Sequence, residues 1–276
     1  MDASFPQIRP KKSLGQHFLT SLSALNKMIS ATNLKKGETV LEIGPGKGIL
    51  TAALLGTEAD KIIAVEKDGR SYGFLSQRFE KEISTDRLKL VLGDILGVDR
   101  HTAGLDERRY VLAANIPYYI TGAILQSFLE HEPRPNRMVL LVQKEVADRI
   151  IARDGKESLL SVSVKAFGEP HIVSKVPRGA FNPPPKVDSA ILAIKDVSGD
   201  RFKDIDTQAF FKMLKAGFAH KRKMLKRNLE SVYGKSALDQ AWAANGISEK
   251  IRAEELSVDR WFGLALSLRH YAHQKK

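Results

Sequence analysis

The sequence predicts an α/β protein: an open, doubly wound, mostly parallel sheet with a small C-terminal helical domain. Three observations lead there. Apolar, strand-like runs alternate with amphipathic helical stretches over the first two-thirds of the chain, a glycine-rich turn follows the first of those runs directly, and residues 207–273 show helical periodicity alone. A βαβ rhythm of this kind favours parallel strands joined by crossover helices.

Strands are expected at 39–43, 61–65, 88–92, 110–114 and 138–142. Each is nearly continuously apolar instead of alternating, as strands covered on both faces should be. Between them, 49–55 and 70–82 carry amphipathic helical patterns. Two later runs, 171–176 and 189–194, flank a proline-rich loop and are expected to pair antiparallel at one sheet edge. Around 197–206 the composition turns polar, with Ser198, Gly199 and closely spaced aspartates and lysines, which reads as a linker. The expected domains are therefore 1–197, a linker at 198–206 and a helical domain at 207–276.

The 276 residues suffice for one large domain and a smaller one, and the formal net charge of +12 points to a polyanionic partner. With no cysteine, disulfides and thiolate metal sites are excluded, which suits a cytoplasmic protein. His270 and His273 are expected to be solvated, and no metal site is expected. No apolar run reaches membrane-spanning length, and residues 1–20 lack the hydrophobic centre of a signal peptide.

The run 39–43 leads into Gly44-Pro45-Gly46-Lys47-Gly48. Glycines at such a turn let backbone N–H groups approach a ligand closely. The spacing is Gly-x-Gly-x-Gly, not the Gly-x-Gly-x-x-Gly of dinucleotide sites, and Pro45 removes an amide that a pyrophosphate would use. Both features favour S-adenosylmethionine over NAD. The next strand ends in Glu66, placed to accept hydrogen bonds from two ribose hydroxyls. Asp94, after Gly93, has two readings: an acceptor for the cofactor's adenine amine, or a turn aspartate.

The tetrapeptide Asn115-Ile116-Pro117-Tyr118 follows the fourth strand, at the carboxyl end where α/β folds place ligands. An adenine N6 is a poor nucleophile because its lone pair is delocalised into the ring. Methylating it requires acceptors that hold both amine hydrogens and localise the lone pair. The Asn115 side-chain carbonyl and the Ile116 main-chain carbonyl can supply them, with Pro117 stiffening the loop and Tyr118 stacking on the base. A bland Asn-Pro turn is the competing reading.

The ordered set Gly15-Gln16-His17-Phe18-Leu19, Glu42-Ile43-Gly44-Pro45-Gly46, Glu66, Gly93-Asp94, Asn115 to Tyr118, Gln143-Lys144-Glu145-Val146, and the segment from Phe181 through Pro183, Pro184 and Pro185 to Ser189 resembles the bacterial ribosomal RNA adenine dimethyltransferase family. The resemblance implies a Rossmann-like class I methyltransferase fold and dimethylation of two adjacent adenosines near the 3′ end of 16S ribosomal RNA in the small ribosomal subunit. It further implies cofactor contacts from His17, Leu19, Gly44, Gly46, Glu66, Asp94 and Asn115, and places Phe181 opposite Tyr118 across the target adenine. Two positions depart from the family: His17 and Tyr119 stand where Asn is common. A monomer is expected. The alternatives are a macrolide-resistance methyltransferase acting on large-subunit ribosomal RNA, and a non-catalytic RNA-binding or assembly factor.

In the tail, a single helical projection over 211–229 places Phe211, Leu214, Phe218, Leu225 and Leu229 on one stripe, with Lys212, Lys215, Lys223, Lys226 and Arg227 opposite. Lys223, Lys226 and Arg227 are accordingly expected to meet RNA phosphates. Lys221 falls on the apolar stripe, which requires either a break after Gly217 or an exposed lysine. Residues 205–276 hold fourteen Lys and Arg against seven Asp and Glu, so this quarter carries most of the excess charge.

Overall fold

The computed structural model describes Pro10 and residues 15–105 and 110–271. The elements run β1 (Phe18–Leu19), α1 (Leu22–Thr32), β2 (Thr39–Ile43), α2 (Ile49–Leu55), β3 (Lys61–Glu66), α3 (Gly69–Arg78), α4 (Glu80–Ser84), β4 (Leu88–Leu92), α5 (Arg100–Ala103), β5 (Tyr110–Asn115), α6 (Thr121–Glu130), β6 (Arg137–Gln143) and α7 (Lys144–Ile150). They continue with α8 (Leu159–Lys165), β7 (Glu169–Val176), β8 (Phe181–Asn182), β9 (Ser189–Lys195), α9 (Thr207–Phe218), α10 (Leu225–Tyr233), α11 (Lys235–Asn245) and α12 (Val258–Leu268). Of the two histidines expected to be solvated, His270 is exposed and His273 lies outside the described residues.

Seven strands form one sheet in the order β4-β3-β2-β5-β6-β9-β7. Strands β2 to β6 are parallel to one another, while β9 runs antiparallel between β6 and β7. Successive residues of a strand point to opposite faces, and Val40 and Leu41 are both wholly buried, so both faces of the sheet centre are covered. That double burial is why these strands read as unbroken apolar runs. Strand order reverses at β2, whose neighbours are β3 and β5, and the crevice at their carboxyl ends is where such sheets hold ligands. β1 and β8 form a separate two-stranded ladder.

The helix expected over 70–82 is two, because the chain breaks at Phe79. That ring packs against the glycine turn so closely that a Cβ on Gly48 would lie 2.6 Å from it.

The chain forms two compact units, Met1–Ala147 with Glu169–Val197, and Asp148–Gly168 with Ser198–Lys276. This corrects the expected boundaries twice. Residues 148–168 belong to the helical unit: the Phe167 ring lies 4.8 Å from that of Phe202, and Lys156 pairs with Glu254 at 3.0 Å. The expected linker is also anchored there, since Phe202 packs on Phe210 and Phe262 at 5.3 and 5.1 Å. Polar composition signalled a surface path but hid one aromatic that fastens it.

The single basic helix is likewise corrected: α9 ends at Phe218 and α10 begins at Leu225. Gly217 is pressed against Trp261, where a Cβ would meet the indole at 2.5 Å. The buried Asn228 amide donates to the Gly217 and His220 carbonyls at 2.7 and 3.1 Å, satisfying the end of α9. Lys221 therefore lies on an exposed turn, so the conflict in the projection reflected the break.

Candidate active site

A cleft of about 100 Å³ opens at the carboxyl ends of β2, β3 and β5. Gly44, Gly46, Glu66, Asp94, His17 and the whole 115–118 tetrapeptide border it. The sequence-predicted residues thus converge from five separate stretches of chain.

Glu66 ends β3 and is only 4% exposed. Its Oε2 accepts the Gly46 N–H at 2.9 Å and its Oε1 the Asp68 N–H at 2.8 Å. The main chain thereby aims the carboxylate while leaving each oxygen a second acceptor position. Burial pushes its carboxyl above the usual range, and the two backbone N–H groups oppose that rise. At Gly46 glycine is favoured on two counts: φ is +57°, and a Cβ would meet the Phe18 ring at 2.8 Å.

Asn115 ends β5. Its Nδ2 donates to the His17 carbonyl at 3.0 Å. A main-chain carbonyl can only accept, so this bond fixes which way the carboxamide faces and reserves Oδ1 as an acceptor. Tyr118 lies in a 3₁₀ turn over Tyr118–Ile120, where its hydroxyl meets the Ser189 Oγ at 2.6 Å. Its ring stacks on the His17 imidazole with centroids 6.0 Å apart, and His17 Nδ1 in turn meets the Pro183 carbonyl at 2.8 Å. Asp94 serves the turn that follows it, accepting the Leu96 N–H at 3.2 Å, and pairs with Lys67 at 2.7 Å. The Lys67 ammonium holds its carboxyl below the usual range. Asp94 therefore combines the turn reading with a place on the cleft wall.

A sequence profile described as ribosomal RNA adenine dimethylase matches residues 8–270. A protein from Dehalococcoides mccartyi named ribosomal RNA small subunit methyltransferase A is 41% identical, over 94% of this chain and 88% of its own length. A namesake from Synechococcus elongatus is 40% identical, over 94% and 95% respectively. The chain belongs to the ribosomal RNA adenine dimethylase family. Among solved structures, a dimethyladenosine transferase from Plasmodium falciparum superposes with a TM-score of 0.80 at 29% identity, covering 92% of this chain and 98% of that one.

Two positions that the family resemblance implied at the cleft are deeply buried in this chain. Leu19 and Phe181 face each other across the β1–β8 ladder and are 6% and 4% exposed. Both join the core cluster instead of the cleft wall, because antiparallel partners share a face and that face is turned inward. Neither is among the residues that border the main cleft, and Leu19 borders a smaller cavity with Gly44, Glu42 and Asn115.

Three contributors went unassigned at the sequence level. Phe18 packs under Gly46, Lys67 pairs with Asp94, and Ser189 holds the Tyr118 hydroxyl. Lys67 had a legible signal, since it directly follows the strand-end Glu66. Ser189 closed a motif that carried the family resemblance, but its contact with Tyr118 had no local signal, because only the sheet brings β9 alongside the loop after β5.

In the helical unit Lys223 and Arg227 are exposed. Lys226 is not a free surface cation: it pairs with Glu249 at 2.6 Å and Asp239 at 2.7 Å, and its side chain is 19% exposed. Its assignment to the phosphate-facing set is corrected, because two carboxylates of α11 and the following loop already neutralise it. Among the described residues, no helix is long and apolar enough to cross a membrane.

Proposed function

We propose that this protein transfers methyl groups from S-adenosylmethionine to N6 of two adjacent adenosines near the 3′ end of 16S ribosomal RNA, dimethylating each during small-subunit biogenesis. The observation that carries the reading is the oriented Asn115 carboxamide. With Nδ2 spent on the His17 carbonyl, Oδ1 is presented at the strand end to hold an amine hydrogen. Ile116 borders the same cleft, and its main-chain carbonyl is the proposed second acceptor, drawing the lone pair out of conjugation. Tyr118, steadied by Ser189 and His17, offers a ring to the base. No strong base is required, because nitrogen sheds its proton readily once it carries the new methyl group.

S-adenosylmethionine supplies an electrophilic methyl group when bound. The donor set fits it: Glu66 retains acceptor capacity for two ribose hydroxyls, and Pro45 within the turn withholds an amide from any pyrophosphate. His17, Gly44, Gly46 and Asp94 complete the proposed cofactor wall. Exposed Lys223 and Arg227 are proposed to engage RNA phosphates. The small subunit is favoured over the large by the names of the two relatives. The protein is further proposed to act as a cytoplasmic monomer. The test incubates it with methyl-labelled cofactor and unmethylated small subunits, then maps the label. Label on two adjacent 3′-terminal-region adenosines is expected, and none on RNA would refute the reading.

A further inference from the structure

Tyr118 and Tyr119 are neighbours in sequence with opposite fates. A 3₁₀ turn advances about 120° per residue, so consecutive side chains diverge sharply. In this turn Tyr118 is half-buried and tied to Ser189, whereas Tyr119 is 65% exposed yet still borders the cleft. It is the one aromatic among the large exposed hydrophobic side chains of the described residues. The ring has a backing: its Cε1 lies 3.4 Å from where a Cβ on Gly15 would stand, and Gly15, at φ +59°, carries no side chain to displace it. Lys67 lines the same rim, with a side chain 59% exposed. A flat ring, supported along one edge and open to solvent beside the Lys67–Asp94 ion pair, is an arrangement on which single-stranded nucleic acids stack their bases.

We propose that Tyr119 is the stacking platform for the nucleotide adjoining the adenosine held in the cleft. This rests on the reading that the cleft takes an RNA adenine. A target base drawn in beside Tyr118 leaves its neighbour unstacked at the cleft mouth, and Tyr119 restores that stacking at the adjacent position. The ring would thereby set the register in which the RNA strand enters.

The test uses an RNA hairpin with two adjacent loop adenosines, with 2-aminopurine placed at each loop position in turn. The full-length protein should quench the fluorophore at a position adjoining the methylated adenosine. Tyr119→Ala should abolish that quench and weaken RNA binding about five- to a hundredfold, the usual cost of one lost base–aromatic stack. Tyr119→Phe should retain both, because the ring and not the hydroxyl is used, and Tyr119→Asn should behave as Tyr119→Ala. Cofactor affinity by calorimetry should match wild type in all three, which separates lost stacking from a damaged fold. Wild-type quench and affinity in Tyr119→Ala would overturn the proposal, as would equal losses in Tyr119→Phe. A protein that transfers no methyl group yet shows the Tyr119-dependent quench would overturn the functional reading and leave the platform standing.

Discussion

The sheet unit and the helical unit hold their charged and polar groups by different means. At the ends of β3 and β5, Glu66 and Asn115 are gripped by main-chain groups at 2.8 to 3.0 Å. In the helical unit the ordered interior is aromatic, with Phe167, Phe202, Phe210, Phe211 and Phe262 packed ring on ring, and most cations stand outside it. The difference follows from what each region must do. Charge development on one nitrogen rewards a donor or acceptor placed to a fraction of an ångström. Attraction to a phosphate chain depends on charge density and tolerates mobile side chains.

If that contrast is right, damage at the strand ends should be abrupt and damage on the helices gradual. The largest effect is expected at Asn115. Asn115→Ala should lower single-turnover methylation roughly a hundred- to a thousandfold at saturating cofactor, with RNA affinity nearly unchanged. A near-normal rate would return the tetrapeptide to a simple turn. Glu66→Ala removes a buried carboxylate and frees the Gly46 and Asp68 N–H groups. Calorimetry should show cofactor binding weakened by on the order of thirty- to a thousandfold, or about 2–4 kcal/mol; unchanged affinity would remove Glu66 from the site.

A pH test bears on the same region. Glu42, on β2, is 1% exposed, and its Oε2 has no partner among the described residues. Burial pushes its carboxyl up to about 8, and the nearby charge of Glu66 adds to the rise. A folded-state value raised above the unfolded one favours the protonated, folded form. Its stabilising contribution is therefore complete below about pH 4.5 and is lost as pH rises toward 8. Relative to Glu42→Gln, wild-type stability from denaturant unfolding should decline across that window. A constant difference between the two would mean that Glu42 is ionised throughout.

On the helical unit, replacing Lys223 and Arg227 together with Gln should flatten the salt dependence of RNA binding by roughly 1.4 to 1.8 in log–log slope, without touching cofactor affinity. Lys226→Gln makes the internal control and should have the smallest effect on RNA. Asp239 and Glu249 hold its ammonium, raising its basicity, so its loss should lower the melting temperature slightly and leave the salt slope in place. A slope change as large as that of the double variant would erase the distinction between paired and free cations.

Composition and periodicity determined a good deal by themselves. The central strands appear within a residue of where unbroken apolar runs placed them, because burial on both faces writes itself into every position. Gly44, Glu66 and Asn115 were legible as a site because the fold puts strand ends together whatever lies between them. Other features required the tertiary structure. Phe181 turned inward on a two-residue ladder too short to leave a pattern, and residues 148–168 joined the helical unit through distant partners such as the Phe202 ring and Glu254. Lys226 was indistinguishable from Lys223 by type and exposure pattern until α10 came beside Asp239 and Glu249. Repeating local patterns record which face is buried, whereas a partner distant along the chain leaves no periodic trace. Pairing across such distances is therefore decided by the packed structure alone.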